Sequence, residues 1–137
     1  PESPAMADRV SGDDIRGLLT RLAGQFRFVV ADTASGLTEH TLAVLEETTD
    51  AIFVSTMDVA CMRDVRRELD LLVQLGLLPP QRSLTLNMAD RASGLLVKDV
   101  ETVVGLPVEA VLPRDKTVPL AGNRGEPLML ERLKAAG

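Results

Sequence analysis

The order of apolar and polar positions along the chain switches repeatedly between two periods. SGDDIRGLLTRLAGQ places Ile15, Leu18, Leu19 and Leu22 at helical spacing. Ser11, with Asp14 three residues on, has the form of a capping box, and Gly24 supplies a stop. FRFVVAD is a near-continuous apolar run rich in Val, the pattern of a strand buried on both faces of a parallel sheet. TEHTLAVLEE then predicts a helix with Thr38 as its N-cap, and DAIFVSTMD a second buried strand. VACMRDVRRELDLLVQLG predicts the longest helix, with Met62, Val65, Leu69, Leu72 and Val73 as its apolar positions. Gly76 ends it, and Pro79-Pro80 prevent its continuation. RSLTLNMAD is a third strand, GLLVKDVETVVG a helix closed by Gly105, and PVEAVLP a short fourth strand. The remainder, RDKTVPLAGNRGEPLMLERLKAAG, predicts a loop with several turn residues and a final short helix; residues 1–10 predict an extended lead-in.

Strands that alternate with helices imply an α/β domain in three layers, a mostly parallel sheet with helices on both faces. The 137 residues fit one domain, 1–137, with no internal repeat or linker. All parallel strands present their carboxyl ends at one edge, where open α/β sheets bind ligands. In this sequence those ends carry Asp32-Thr33, Ser55-Thr56 with Asp58, Asn87 with Asp90, and Pro113 with Asp115. Capping is the expected role of Asp58 and Asp90, whereas capping and ligand contact are balanced for Asp115. Asp32 differs, because a glycine loop follows it rather than a helix. A carboxylate there suits a divalent cation, held directly or through water, and Gly36 lets the backbone approach a phosphate.

Composition narrows the classes. Hydrophobic residues make up 45% of the chain but aromatics only 2%, with no Trp or Tyr, so the core is aliphatic and a base-stacking platform is disfavoured. The net charge of -5 opposes a general phosphate-binding surface. Arg63, Arg66 and Arg67 cluster, but Asp64, Glu68 and Asp70 interleave with them, as on a solvated helix face. No nucleic-acid partner is expected. The single cysteine, Cys61, excludes an intrachain disulfide and reads as a small packed thiol; with it goes a cytoplasmic expectation. No stretch reaches the roughly 18 apolar residues of a membrane span. PLMLERLKAAG, with Arg132 and Lys134 as its basic residues, predicts a packing helix rather than a membrane anchor.

Several of these stretches, taken in order, resemble the ParA/MinD family of deviant P-loop ATPases. FVVADTASGLTEH is similar to that family's Walker B strand and switch II. TLNMADRASGLLVKDVETVVGLPV resembles its Leu-x-Leu-Asn-Arg strand and following helix, and VLPRDKTVPLAGNRGEPL the segment near its base pocket. Within the family the wording is most like the CpaE/TadZ pilus-assembly ATPases, often described as septum-site-determining. The resemblance implies a P-loop NTPase-like fold and ATP/ADP with Mg²⁺ as cofactors. It implies that Asp32 holds Mg²⁺ through water and that Thr33 and Gly36 belong to the switch. It further implies that Asn87 bonds the adenine and that Pro113 and Asp115 line the base pocket. Three departures stand out: Ala34-Ser35 replace the usual Pro-Pro, Met88 replaces an Arg, and the sequence contains no Gly-x-x-x-x-Gly-Lys-Ser/Thr motif. In the family that motif lies N-terminal to the region matched here.

The expectation is therefore the C-terminal half of an ATPase domain, an incomplete fold that by itself does not hydrolyse ATP. Its parent would dimerise and position pilus-assembly or cell-pole machinery. The alternative is a non-enzymatic, degenerate module of the same fold that acts through protein contacts. The partner in either case would be the missing P-loop half or a second copy, together with pilus or polar proteins. If the strands at 27–32 and 51–56 are both central, they flank an empty slot. The chain then either re-pairs them or associates through them.

Overall fold

The computed structural model describes residues 10–90 and 93–129. Helix α1 (Gly12–Ala23) begins with the anticipated capping box. Ser11 Oγ accepts from the Asp14 amide at 3.2 Å, and the Asp14 carboxylate accepts from the Ser11 amide at 2.9 Å. Helix α2 (Glu39–Glu46) begins at Thr38, whose hydroxyl accepts from the Thr41 amide. The two helices pack together where small residues allow it. A Cβ on Gly12 would sit 3.2 Å from Glu39 Oε1 and 3.4 Å from the buried Ala43. The Gly12 amide donates to that same Glu39 oxygen at 2.9 Å, and Arg16 ties Asp13 to Glu46 across the pair.

Strand β1 (Asp50–Ser55) leads into α3 (Val59–Leu75). Asp58 caps that helix, with Oδ1 accepting from the Ala60 amide at 2.9 Å and the Cys61 amide at 3.3 Å. Gly76 closes it at φ 69°, the left-handed conformation that glycine adopts without a Cβ penalty. Strand β2 (Gln81–Ala89), helix α4 (Val97–Val104), strand β3 (Val108–Pro113) and helix α5 (Thr117–Arg124) complete the described order.

The sheet is parallel, in the order β1-β2-β3. Beta-2 is central and its ladder to β1 is regular, from Asp50↔Gln81 to Ser55↔Leu86. Leu84 and Leu86 point into a core closed by Met62, Val65 and Leu69 of α3 and Val100 and Val104 of α4, with Leu106 beside them. Leu84, Leu86, Val100 and Val104 are fully buried. Such aliphatic side chains each contribute about 1.5–3 kcal/mol relative to exposure. Arg66, midway along α3, joins it to the C-terminal end of α4, with Nη1 donating to the Val104 carbonyl at 3.4 Å.

The α/β class and the parallel sheet agree with the sequence. Four details do not. Residues 26–34 form neither a helix nor a strand, so FRFVVAD is not in the sheet, and Phe28 and Val30 are 80% and 94% exposed. Burial on both faces requires a neighbouring strand on each side, and within the described sheet β1 pairs with β2 alone. The anticipated re-pairing of 27–32 with 51–56 does not occur. Second, α4 starts at Val97, after a turn at Gly94 with φ 71°. Third, TVPLAGNR, read as loop, is helix α5; Pro119 sits in its first turn, where a missing amide hydrogen costs nothing. Fourth, Cys61 is exposed rather than packed. The lead-in at 1–9 and the tail from Leu130, including Arg132 and Lys134, lie outside the described residues.

Candidate functional site

The carboxyl ends of β1, β2 and β3 converge, because the strands are parallel and paired in order. Between them opens a cleft of about 410 Å³, lined by Thr56, Met57 and Asp58 after β1, Met88, Asp90 and Ser93 around the end of β2, and Arg114 after β3. It joins two carboxylates and one guanidinium to two thioether side chains. That mixture can hold a planar polar group by its edge while the methionines cover its face. Asp58 is a helix cap as well as part of the wall, as its sequence context implied.

The end of β2 departs from regular geometry. Leu86 pairs with Val111 and Ala89 with Pro113, so β2 carries one residue more than β3 between these pairs. Met88 absorbs the bulge at φ 52°, the left-handed region that non-glycine residues seldom occupy. The half-buried Asn87 stabilises that turn, since its Oδ1 accepts from the Met88 amide at 2.9 Å. The bulge thereby directs Met88 into the cleft. The Arg114 amide donates to the Ala89 carbonyl at 3.1 Å and keeps β3 in step past its end.

Of the residues singled out from sequence, Asn87, Pro113 and Asp115 lie at this edge. Pro113 is exposed at the end of β3, and Asp115 accepts from the Thr117 amide at 2.8 Å and from its hydroxyl at 2.7 Å. Asp115 therefore opens α5 in the manner of a cap. Asp32 and Thr33 are exposed, in the irregular segment after Arg27 and Phe28. Gly36 adopts φ 87° and its amide lies near the Glu68 carboxylate of α3. Burial pushes the Glu68 carboxyl above its ordinary range, repulsion from Asp64 adds to that, and the Gly36 amide opposes both. None of the six residues is among those lining the cleft. Sequence reasoning missed Arg114, and Met88 was noticed only as a departure from a family pattern. A bulge has no sequence signature here, although a bulky residue directly after a strand-end Asn was visible.

Among the described residues no group of three or more His, Cys, Asp or Glu side chains is placed to hold a metal. A magnesium ion needs fewer protein ligands when phosphates and water complete its shell. Asp32 offers one such carboxylate. That carboxylate is exposed and is not among the residues that line the cleft.

A parallel α/β sheet with a cleft at its carboxyl edge is the general form of a nucleotide-binding α/β domain. The architecture is that of ParA and MinD proteins. A ParA family ATPase from Chlorobium tepidum superposes with a TM-score of 0.79 at 20% identity, over 85% of this chain and 49% of that one. The septum site-determining protein MinD of Pyrococcus horikoshii, complexed with Mg-ADP, superposes with a TM-score of 0.76 at 18% identity, over 91% and 51%. In sequence, the chain is 30% identical over 127 residues to a putative septum site-determining protein MinD of Emiliania huxleyi, across 89% of this chain and 46% of that protein. A putative MinD of Guillardia theta and the septum site-determining protein MinD of Synechocystis are also similar, and the chain spans about half the length of these relatives. No family model matches.

Proposed function

We propose that this chain is the C-terminal portion of a ParA/MinD-like ATPase, carrying the base side of the nucleotide site and the metal-facing carboxylate. The observation that carries the reading is the cleft at the carboxyl ends of three parallel strands, beside the Asn87-Met88 bulge, in a fold whose relatives include a Mg-ADP complex. In this reading the carboxamide of Asn87 turns toward adenine, while Pro113 and Asp115 flank the base. Asp32 orders water on Mg²⁺, and Thr33 and Gly36 report the nucleotide state. Bound Mg²⁺ would supply neutralisation of phosphate charge. ATP turnover requires the phosphate-binding half of the fold as well, since phosphoryl transfer depends on amides and a lysine aimed at the transferring group. The finer role follows the CpaE/TadZ-like wording of the sequence: a cytoplasmic, dimerising ATPase that positions pilus-assembly or polar proteins.

The test is made on the polypeptide encoded by the whole reading frame. Asp32→Ala should slow Mg²⁺-dependent hydrolysis far more than it weakens nucleotide binding. Asn87→Ala should reduce discrimination of ATP from GTP; unchanged base preference and affinity would remove Asn87 from the site. The 137-residue chain alone should show no turnover, and turnover abolished by Asp32→Ala would overturn that. A second reading, a non-enzymatic module acting through protein contacts, is favoured by one observation: the exposed apolar side chains at Phe28, Val30, Ile52 and Val54. Calorimetry with Mg-ATP separates the two, because the second reading expects no heat of binding from the full reading-frame product.

A further inference from the structure

Among the described residues, Met88 is the one non-glycine residue with a positive φ, 52°. Two hydrogen bonds fix that conformation. Asn87 Oδ1 takes the Met88 amide at 2.9 Å, and the Ala89 carbonyl takes the Arg114 amide at 3.1 Å, so the chain is pinned on either side of the bend. A glycine would build a bulge of this kind without strain, because it enters the left-handed region freely. With methionine the strained position instead carries a long thioether, 53% exposed, into the wall of the cleft. Residues held in sparsely populated backbone regions gather at ligand contacts, where the surrounding structure over-determines them. Strain, exposure and the cleft coincide at this one side chain.

The chemistry of the wall says what such a side chain meets. Met57 also lines the cleft but packs against the core, so its place is set from behind, whereas Met88 is not part of that core. Arg114, at the end of the neighbouring strand, brings a planar guanidinium to the same wall. A polarizable thioether packs against π-systems, and a guanidinium stacks on them. None of the lining residues is aromatic, so a ring in this cleft comes from the ligand. We infer that Met88 is a specificity-determining residue whose thioether covers the face of a purine ring. The inference deepens the nucleotide reading and rests on it. In that reading Asn87 meets the edge of the base, and because its Oδ1 is taken by the Met88 amide, its N–H donors are what remain for that edge. An edge differs between adenine and guanine. A face contact measures ring area instead, so Met88 favours purines over pyrimidines without choosing between the two purines.

The test uses the polypeptide encoded by the whole reading frame, isotope-labelled at its methionine methyl groups and titrated with Mg-ADP, Mg-GDP and Mg-CDP. The Met88 methyl signal, identified by its loss in Met88→Leu, should move upfield with both purine nucleotides, because protons above a ring face are shielded. Met88→Gly suits the φ of 52° and so should keep the fold. Its affinity for Mg-ADP and for Mg-GDP, measured by calorimetry, should fall by the same factor, about three- to tenfold, with Mg-CDP less affected. A downfield or absent shift while a purine nucleotide is bound overturns the inference, because the ring then lies edge-on or elsewhere. Unchanged purine affinity in Met88→Gly overturns it too, and both results leave the nucleotide reading standing. No heat of binding from the unaltered protein with any of the three nucleotides removes that reading and the inference with it.

Discussion

Two stretches of this chain look alike in sequence and behave differently in the fold. Both FRFVVAD and RSLTLNMAD read as strands that end on an aspartate, the first a near-continuous apolar run and the second alternating. The second is the central strand of the sheet, with β1 and β3 on either side and Leu84 and Leu86 sealed beneath two helices. The first has no ladder, and Val30 is almost wholly in solvent. Beta propensity favours the first at least as strongly, with its Phe and Val residues. What separates them is the supply of partners. A strand is stabilised by cross-strand pairs and a packed face, and neither reaches residues 26–32 within the described chain.

The sharpest way to break that comparison is to truncate one apolar side chain in each. Leu86→Ala should destabilise the chain by about 2–5 kcal/mol, because the cavity opens inside a closed core. Phe28→Ala should change stability by no more than about 0.5 kcal/mol, as expected for an exposed position. Denaturant midpoints for the two variants check this directly. A large loss from Phe28→Ala would show that the segment is packed in solution.

Glycines at left-handed φ give a second, smaller contrast. Gly105→Ala and Gly36→Ala share the backbone penalty of about 1–2 kcal/mol for a Cβ in that conformation. At Gly105 the new Cβ would also lie 2.5 Å from Arg66 Nη1, so Arg66 must leave the Val104 carbonyl. At Gly36 it would meet open space. Gly105→Ala should therefore cost more, by about 0.5–1.5 kcal/mol, the net worth of that hydrogen bond. Equal midpoint shifts would mean that Arg66 does not link α3 to α4.

Removal of the α3 cap, Asp58→Ala, should cost about 1 kcal/mol. The same variant alters the cleft wall, so it should also change any affinity for Mg-nucleotide of the complete protein. Loss of stability with unchanged affinity would limit Asp58 to its capping role.

The smallest expected effect is a pH dependence. The Glu68 carboxyl titrates above its ordinary value of 4.5, chiefly because burial disfavours the charge. Its ionised form is therefore the less stable one in the fold. Stability from this group is complete at pH below the ordinary carboxylate range and declines as pH rises through the folded value. Glu68→Gln removes the titrating carboxyl and should flatten that decline, with equal or higher stability at neutral pH. Thermal melts of both forms from pH 4 to pH 8, at fixed ionic strength, check the sign. A steeper decline in Glu68→Gln would mean that the Gly36 contact outweighs desolvation.

The sequence by itself determined the helices α1 to α3, their caps at Ser11, Thr38 and Asp58, the stop at Gly76, and the parallel strands β1 to β3. Those features rest on interactions within a few residues, or on a periodicity that alternating burial enforces. Sequence also put Asn87, Pro113 and Asp115 at one sheet edge, because parallel strands have only one carboxyl side. Only the tertiary structure decided that Met88 and Arg114 face the cleft, since a bulge depends on two strands slipping relative to each other. It alone brought the Gly36 amide near Glu68, 32 positions away. And it kept FRFVVAD out of the sheet, because an apolar run can be buried only where another surface is present to receive it.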